Sequence, residues 1–267
     1  MSKSSLNVQL LIIDGQNDFV DPRGALSVPG ADEDMERLAA MIDRVGKRLD
    51  DIHATVDTHH LIDIAHPIMW IDSQGNHPEP FTIISEDDVQ SGRWNNVLSR
   101  KRGLDYVTRL KVNGRYPLCI WPPHCLIGSW GFALYPILWE ALTKWERENI
   151  ALVNYVTKGS NLWTEHYSAV KADVPDPADA STMLNTGLIQ ILEQADMIGV
   201  AGEALSHCLA NTVRDIAENF GPDSVKKLVL LSDCSSSVPG FENLGQDFVS
   251  DLQLLGMQVT TSDKFLR

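Results

Sequence analysis

Three residues able to do chemistry together stand far apart in this chain of 267 residues. Cys208 closes the segment Ala201-Gly-Glu-Ala-Leu-Ser-His-Cys208. It follows an apolar run (Met197, Ile198, Val200) and precedes a helical pattern (Leu209, Val213, Ile216, Ala217). A thiol where a strand turns into a helix meets backbone N–H groups and the positive helix end, which lower its pKa and hold an oxyanion. Taken alone, a cysteine is more simply a small buried hydrophobe. Two partners shift that balance. Asp14 ends the apolar run Val8-Gln-Leu-Leu-Ile-Ile-Asp14, and a carboxylate ending a buried parallel strand faces the sheet edge where open α/β folds place ligands. Lys158 likewise follows the strand-like run 150–156, although a lone lysine there would be an ordinary solvated loop residue. The chemistry that suits this trio is nucleophilic: Lys158 favours thiolate, Asp14 takes the proton, and Cys208 attacks a carbonyl.

The trio resembles the triad of the nicotinamidase/isochorismatase-like cysteine hydrolase superfamily, with nicotinamidases the nearest members. Five blocks carry the resemblance, in family order and over nearly the whole chain: Leu11-Ile-Ile-Asp-Gly-Gln-Asn-Asp-Phe19, Asp57-Thr-His59, Trp121-Pro-Pro-His-Cys125, Lys158-Gly159 and Gly202-Glu-Ala-Leu-Ser-His-Cys208. The resemblance implies hydrolysis of a small, nicotinamide-like carboxamide to acid and ammonia through a cysteine thioester. It implies Asp14, Lys158 and Cys208 as the catalytic residues. It also implies an oxyanion hole from the N–H groups of Ala204 and Cys208, behind a cis Glu203–Ala204 peptide. Phe19 and Trp121 would sandwich a flat ring, a use suited to their apolar faces, and Trp163 and Tyr167 would close the same pocket. His207 is rejected as the base, because consecutive residues entering a helix point about 100° apart. Asp18 is read as a local hydrogen-bonding residue, and Cys119, Cys125 and Cys234 as buried structural thiols.

A second constellation is of metal type. Asp57-Thr-His59-His60 follows the strand-like run from Ile52, His66 comes a few residues later, and His124 follows the run ending at Trp121. Imidazole and carboxylate suit Zn, Mn or Fe, and three protein ligands leave positions open for water or substrate. The family resemblance implies Asp57, His59, His66 and His124 as ligands of a divalent metal, Zn first. The spacing from Asp57 to His66 is one residue longer than in compact nicotinamidases, so either the loop bulges or His60 replaces His59.

Such groups must be positioned by alternating strands and helices. Strands are expected near 8–14, 52–57, 117–121, 150–156, 196–201 and 227–233, and helices near 33–49, 133–147, 182–194, 207–219 and 243–255. That rhythm predicts a three-layer αβα fold, a six-stranded mainly parallel sheet with helices on both faces. The chain reads as a single domain over 1–267. The stretch 67–115 fits the rhythm poorly, yet carries Trp70, Phe81 and Trp94. It is read as an insertion near the site or an oligomer contact, because long structureless loops are usually functional.

The formal net charge of −14 argues against nonspecific binding to nucleic acid or an anionic membrane, since both would repel the chain. The apolar run Val8 to Ile13 is too brief for a signal peptide or a membrane span, and the four cysteines lack zinc-site spacing. A cytoplasmic homo-oligomer acting on a small-molecule amide is the expectation. Rival readings are a metal-independent carbamoyl or ureido amidohydrolase, an orphan cysteine hydrolase of the same fold, an isochorismatase, which Cys208 disfavours, and a non-enzymatic binding protein, which the complete trio disfavours.

Overall fold

The computed structural model describes residues 6–221 and 224–267. Six strands form the central sheet: β1 (Val8–Ile13), β2 (Asp51–Asp57), β3 (Asn154–Lys158), β4 (Met197–Gly202), β5 (Leu228–Leu231) and β6 (Gln258–Thr260). Their spatial order is β6-β5-β4-β1-β2-β3, and every neighbouring pair is parallel. All of β1 is buried, which explains why its sequence is a continuous apolar run rather than an alternating one: helices cover both faces. The principal helices are α1 (Ala31–Val45), α2 (Arg100–Val112), α3 (Pro136–Asn149), α4 (Thr186–Glu193), α5 (Ala210–Asn219) and α6 (Glu242–Leu254). α1 buries Met35, Leu38, Ala39 and Ile42, a stripe at helical spacing, and packs beside α3. α5 and α6 pack together on the opposite face, as right-handed crossovers require.

The chain leaves β1 for β2 and β3, then returns to the other side of β1 for β4. The order therefore reverses between β1 and β4, and the crevice at such a point, beyond the carboxyl ends of the strands, is where this architecture binds ligands. Ile13 and Gly202 are register partners there, so close that a β-carbon on Gly202 would lie 2.0 Å from the Ile13 carbonyl oxygen. At φ +111°, this position suits glycine on conformation as well as on space.

The six-stranded expectation holds, but one member differs. Residues 117–121 do not join the sheet; Leu118–Cys119 pairs antiparallel with Ile83–Ile84 instead. The sixth strand is β6, a partly exposed edge of three residues that carries no apolar run to announce it. β3 lies later than expected, because residues 150–153 only lead into it. The helix expected at 207–219 starts earlier, as one π-helical turn over Leu205–Leu209 that continues into α5.

The stretch 67–115 is not structureless. It holds a short helix at Glu86–Ser91 with a capping box on Ser85, and the longer α2. Fully buried Trp70 donates from Nε1 to the Ile64 carbonyl at 2.7 Å and packs against Gly103 of α2. Half-exposed Phe81 meets the Trp121 ring edge-on, centroids 5.7 Å apart. Among the described residues no helix is long and apolar enough to cross a membrane.

Candidate active site

Asp14, Lys158 and Cys208 converge at the reversal point, all buried. Asp14 directly follows β1 in a left-handed conformation (φ +43°), uncommon for a residue with a side chain. Its N–H donates to Thr55 Oγ1 at 3.0 Å, and the same hydroxyl donates to Asp14 Oδ1 at 2.5 Å, so β2 holds both ends of the residue. Lys158 ends β3, two strand spacings or roughly 10 Å from β1. A long side chain is needed to cross the end of β2. Its Nζ lies 2.8 Å from Asp14 Oδ2, 3.2 Å from Asp57 Oδ1 and 3.6 Å from Cys208 Sγ.

Burial governs the protons. It pushes the Cys208 thiol well above its usual range; Lys158 pulls it back, while Asp14 and Asp57 push the same way as burial. Burial also raises the Asp14 carboxyl, against the pull of Lys158. For Lys158, burial opposes the charge, but Asp14, Asp57 and Cys208 outweigh it and keep the ammonium. The expected lowering of the thiol pKa by the helix end is therefore overridden. A fully desolvated sulfur keeps its proton beside a carboxylate until a substrate arrives to take the electron pair.

The Glu203–Ala204 peptide is cis, as the resemblance implied. The Ala204 carbonyl accepts the N–H groups of His207 (3.0 Å) and Leu209 (3.2 Å), opening the π-helical turn that carries Cys208. The Ala204 N–H donates no hydrogen bond among the described residues. His207 packs among Trp121, Tyr167, Phe241 and Tyr116, pairs through Nδ1 with Ser206, and burial takes its pKa down to about 3.

Beside the thiol, the second constellation also assembles. Asp57 Oδ2 lies 3.1 Å from His59 Nε2 and 3.8 Å from His124 Nε2, and the His66 ring sits 5.4 Å and 5.7 Å from those two rings. His60 is exposed, so His59 is the inward residue of the pair. The Nδ1 atoms of His66 and His124 face the carbonyls of Leu61 (3.1 Å) and Pro122 (2.9 Å), and that of His59 faces Asp63 (2.9 Å). A carbonyl can only accept, so His66 and His124 carry their protons on Nδ1 and leave the Nε2 lone pair free. Burial lowers the pKa of both, which keeps them neutral. Buried His66 Nε2 has no hydrogen-bond partner. Room for the cluster depends on Gly159, where a β-carbon would stand 2.5 Å from Asp57 Oδ1. The donor atoms of Asp57, His59 and His124 lie close enough together to hold a divalent cation, with His66 beside them.

A cavity joins the two constellations. Phe19, Leu26, Trp121, Tyr167, Ala204 and Val238 give it apolar walls, and Asp57, His124, Glu165, His207 and Cys208 its polar ones. Trp121 Nε1 donates to the Tyr167 hydroxyl at 2.8 Å. Trp163 is not part of this cavity: it lies under the Arg102 guanidinium, 4.2 Å away, in a separate surface groove. The irregular chain between Lys158 and Tyr167 turns it outward, which no periodicity announces.

Several residues here escaped the sequence. Asp63 orients His59, and its only sequence signal is a carboxylate four positions after a histidine. Glu165 places one oxygen 4.0 Å from His59 Nε2, and burial raises its carboxyl to about 8. The Gln16 amide clamps the end of β2, donating to the Asp57 carbonyl (2.8 Å) and accepting the Asp57 N–H (2.7 Å). Asp18 bonds locally to Ala25 but also accepts the Cys125 N–H at 2.7 Å, tying down the loop behind His124. The remaining thiols, Cys119, Cys125 and Cys234, are free and buried.

No family model matches the chain. The nicotinamidase of Saccharomyces cerevisiae is 26% identical over 214 residues, covering 78% of this chain and 81% of that protein. Among solved structures, a nicotinamidase/pyrazinamidase from Acinetobacter baumanii superposes with a TM-score of 0.65 at 21% identity, covering 99% of this chain and 100% of its own. The Pyrococcus horikoshii pyrazinamidase in complex with zinc superposes with a TM-score of 0.56 at 16% identity, over 96% and 99% of the two chains. With this strand order, and with the motif residues gathered at the carboxyl edge of the sheet, the chain has the fold of these nicotinamidases and pyrazinamidases.

Proposed function

We propose that this protein hydrolyses a small heteroaromatic carboxamide of the nicotinamide class to the carboxylic acid and ammonia, with Cys208 as nucleophile. The observation that carries the reading is one buried ammonium, Lys158, within 3.6 Å of the thiol sulfur and 2.8 Å of the Asp14 carboxylate. The yeast relative and the superposed structures are nicotinamidases and pyrazinamidases by name, which supports the substrate class.

Asp14 takes the thiol proton as sulfur bonds to the amide carbon, and the N–H groups of Ala204 and Cys208 receive the oxyanion. Lys158 stays charged and offsets the negative charge passing from Asp14 to sulfur. Protonated Asp14 then gives its proton to the leaving nitrogen, the C–N bond breaks, and ammonia departs from a thioester. Asp14 next takes a proton from water, whose oxygen attacks the thioester. The acid leaves, and the proton returns to sulfur. Phe19, Trp121 and Tyr167 hold the flat ring and exclude bulk water.

Asp57, His59, His66 and His124 would hold a divalent cation, zinc by the preference of such donors and by the zinc bound to the Pyrococcus relative. When bound, that ion supplies Lewis acidity toward a ring nitrogen or a water. The same reading takes 1–267 as one hydrolase domain with 67–115 inserted, working in the cytoplasm as a homo-oligomer.

The test is ammonia release from a panel of amides by purified, metal-analysed protein, with mass spectrometry for an acyl group on Cys208. Nicotinamide should be cleaved, and Cys208→Ala should remove activity while leaving the fold. More than a few per cent residual activity in that variant would sink the covalent mechanism. Cleavage of other amides with nicotinamide ignored would leave only the cysteine amidohydrolase class.

A further inference from the structure

The turn that carries Ala204 is held from behind by a carboxyl with no cation of its own. Glu203 is 0% exposed. Its Oε2 accepts the Ser236 N–H at 3.1 Å, and Oε1 has no hydrogen-bond partner. Ser236 brackets the turn, since its carbonyl accepts the Leu205 N–H at 2.8 Å while its hydroxyl donates to Asp34 Oδ2 at 2.6 Å. Asp34, buried in the first turn of α1, gives its other oxygen to Arg37 Nη2 at 2.7 Å. The nearby guanidinium is thus committed to Asp34, and Glu203 is left as an acid facing an acid.

Two facing buried carboxyls do not both ionise. Burial, and then the Asp34 charge, push the Glu203 carboxyl well above its usual range, so it keeps its proton. An apolar side chain of similar size would spare the fold this desolvation. It would also leave the Ser236 N–H short of a partner and remove the side-chain tie between the turn and the loop after β5. A carboxyl kept at that cost next to the Ala204 N–H has a local task.

We propose that Glu203 is a positioning residue for the oxyanion-binding turn: by accepting the Ser236 N–H it ties residues 202–205 to the loop after β5, and through the Ser236 hydroxyl to Asp34 of α1, and so fixes the aim of the Ala204 N–H. The proposal rests on the amidase reading above. Glu203 touches neither substrate nor sulfur and acts only through Ala204.

The experiment is steady-state kinetics of the full chain with nicotinamide, comparing wild type, Glu203→Gln and Glu203→Leu, with Cys208 alkylation by iodoacetamide and circular-dichroism melting alongside. Glutamine keeps a carbonyl acceptor for the Ser236 N–H, so Glu203→Gln should stay within about threefold of wild type in kcat. Glu203→Leu should lose about 10- to 100-fold in kcat with KM within about twofold, because misaim of one donor weakens the transition state and not ground-state binding. Its alkylation rate, which needs no oxyanion hole, should hold. Where Glu203→Leu does not fold, Glu203→Met, unbranched and closer in shape, is read in its place. Wild-type kcat in the apolar variant, a loss carried by KM or by alkylation, or a Gln variant as impaired as the apolar one would each overturn the positioning role. A wild type that releases no ammonia from any amide would instead refute the amidase reading beneath it.

Discussion

Asp57 and Lys158 are register partners at the carboxyl ends of β2 and β3, and the Lys158 ammonium stands 3.2 Å from Asp57 Oδ1 while also reaching Asp14 at 2.8 Å. One buried cation therefore links the thiol site to the imidazole cluster. Neither constellation is electrostatically complete without it.

Replacing Lys158 by methionine, similar in length but uncharged, leaves two buried carboxylates without their shared cation. Removing one partner from a buried ion pair destabilises by about 3–5 kcal/mol. Lys158→Met should show that loss in a urea-unfolding midpoint and lose amidase activity entirely. An unchanged midpoint would mean that the ammonium is not the counter-charge this geometry makes it.

Asp63 sets the His59 ring through a 2.9 Å contact at Nδ1. Loss of such an orienting carboxylate typically costs 10–100-fold in metal affinity. Zinc titration of chelator-stripped protein should show about that weakening for Asp63→Ala and none for His60→Ala, whose side chain faces solvent. Equal effects of the two substitutions would return His60 to the ligand set.

The two tryptophans should separate in kinetics. Trp121 walls the cavity, while Trp163 stacks under Arg102 elsewhere. Trp121→Ala should raise KM for nicotinamide by about tenfold or more, the loss of a buried aromatic contact worth about 1.5 kcal/mol. Trp163→Ala should leave KM within about twofold, and the reverse pattern would place the ring site on the wrong side of the 160–167 segment.

Asp173 carries a pH signature for stability. Burial raises its carboxyl to about 7, while Arg115 pulls it down from 3.6 Å but is bonded to Asp215. The folded state thus keeps a proton that the unfolded chain releases near pH 4, so the fold binds more protons between about pH 4 and 7. Stability from this group is full below that window and falls as pH rises through it, by at most about 1.4 kcal/mol per unit. Asp173→Asn has no such proton to lose. Its stability relative to wild type should improve from pH 4.5 to pH 8 in paired melts, and an equal difference at both pH values would contradict the assignment.

Strand-end chemistry was legible because it is a local pattern. The apolar run of β1 ends on Asp14, the run into β3 ends on Lys158, and the run of β4 leads to Cys208, so alternation alone put all three at one sheet edge. The same logic placed Asp57, while the motif blocks rather than a strand of the sheet pointed to His124. Where the local pattern is short or misleading, reading failed. β6 has three residues, none of them buried, and the apolar stretch 117–121 found an antiparallel partner in Ile83–Ile84 because the 67–115 segment brings one to it.

Tertiary structure alone decided which charges meet and which protons stay. Nothing in the spacing of Asp34, Glu203 and Ser236, or of His59 and Glu165, tells that they touch, because the contacts join chain segments up to 202 residues apart. The protonation of Cys208 was misread for the same reason. Helix ends and a neighbouring lysine can be inferred from sequence, but the desolvation that outweighs them depends on how completely the surrounding elements close over the sulfur.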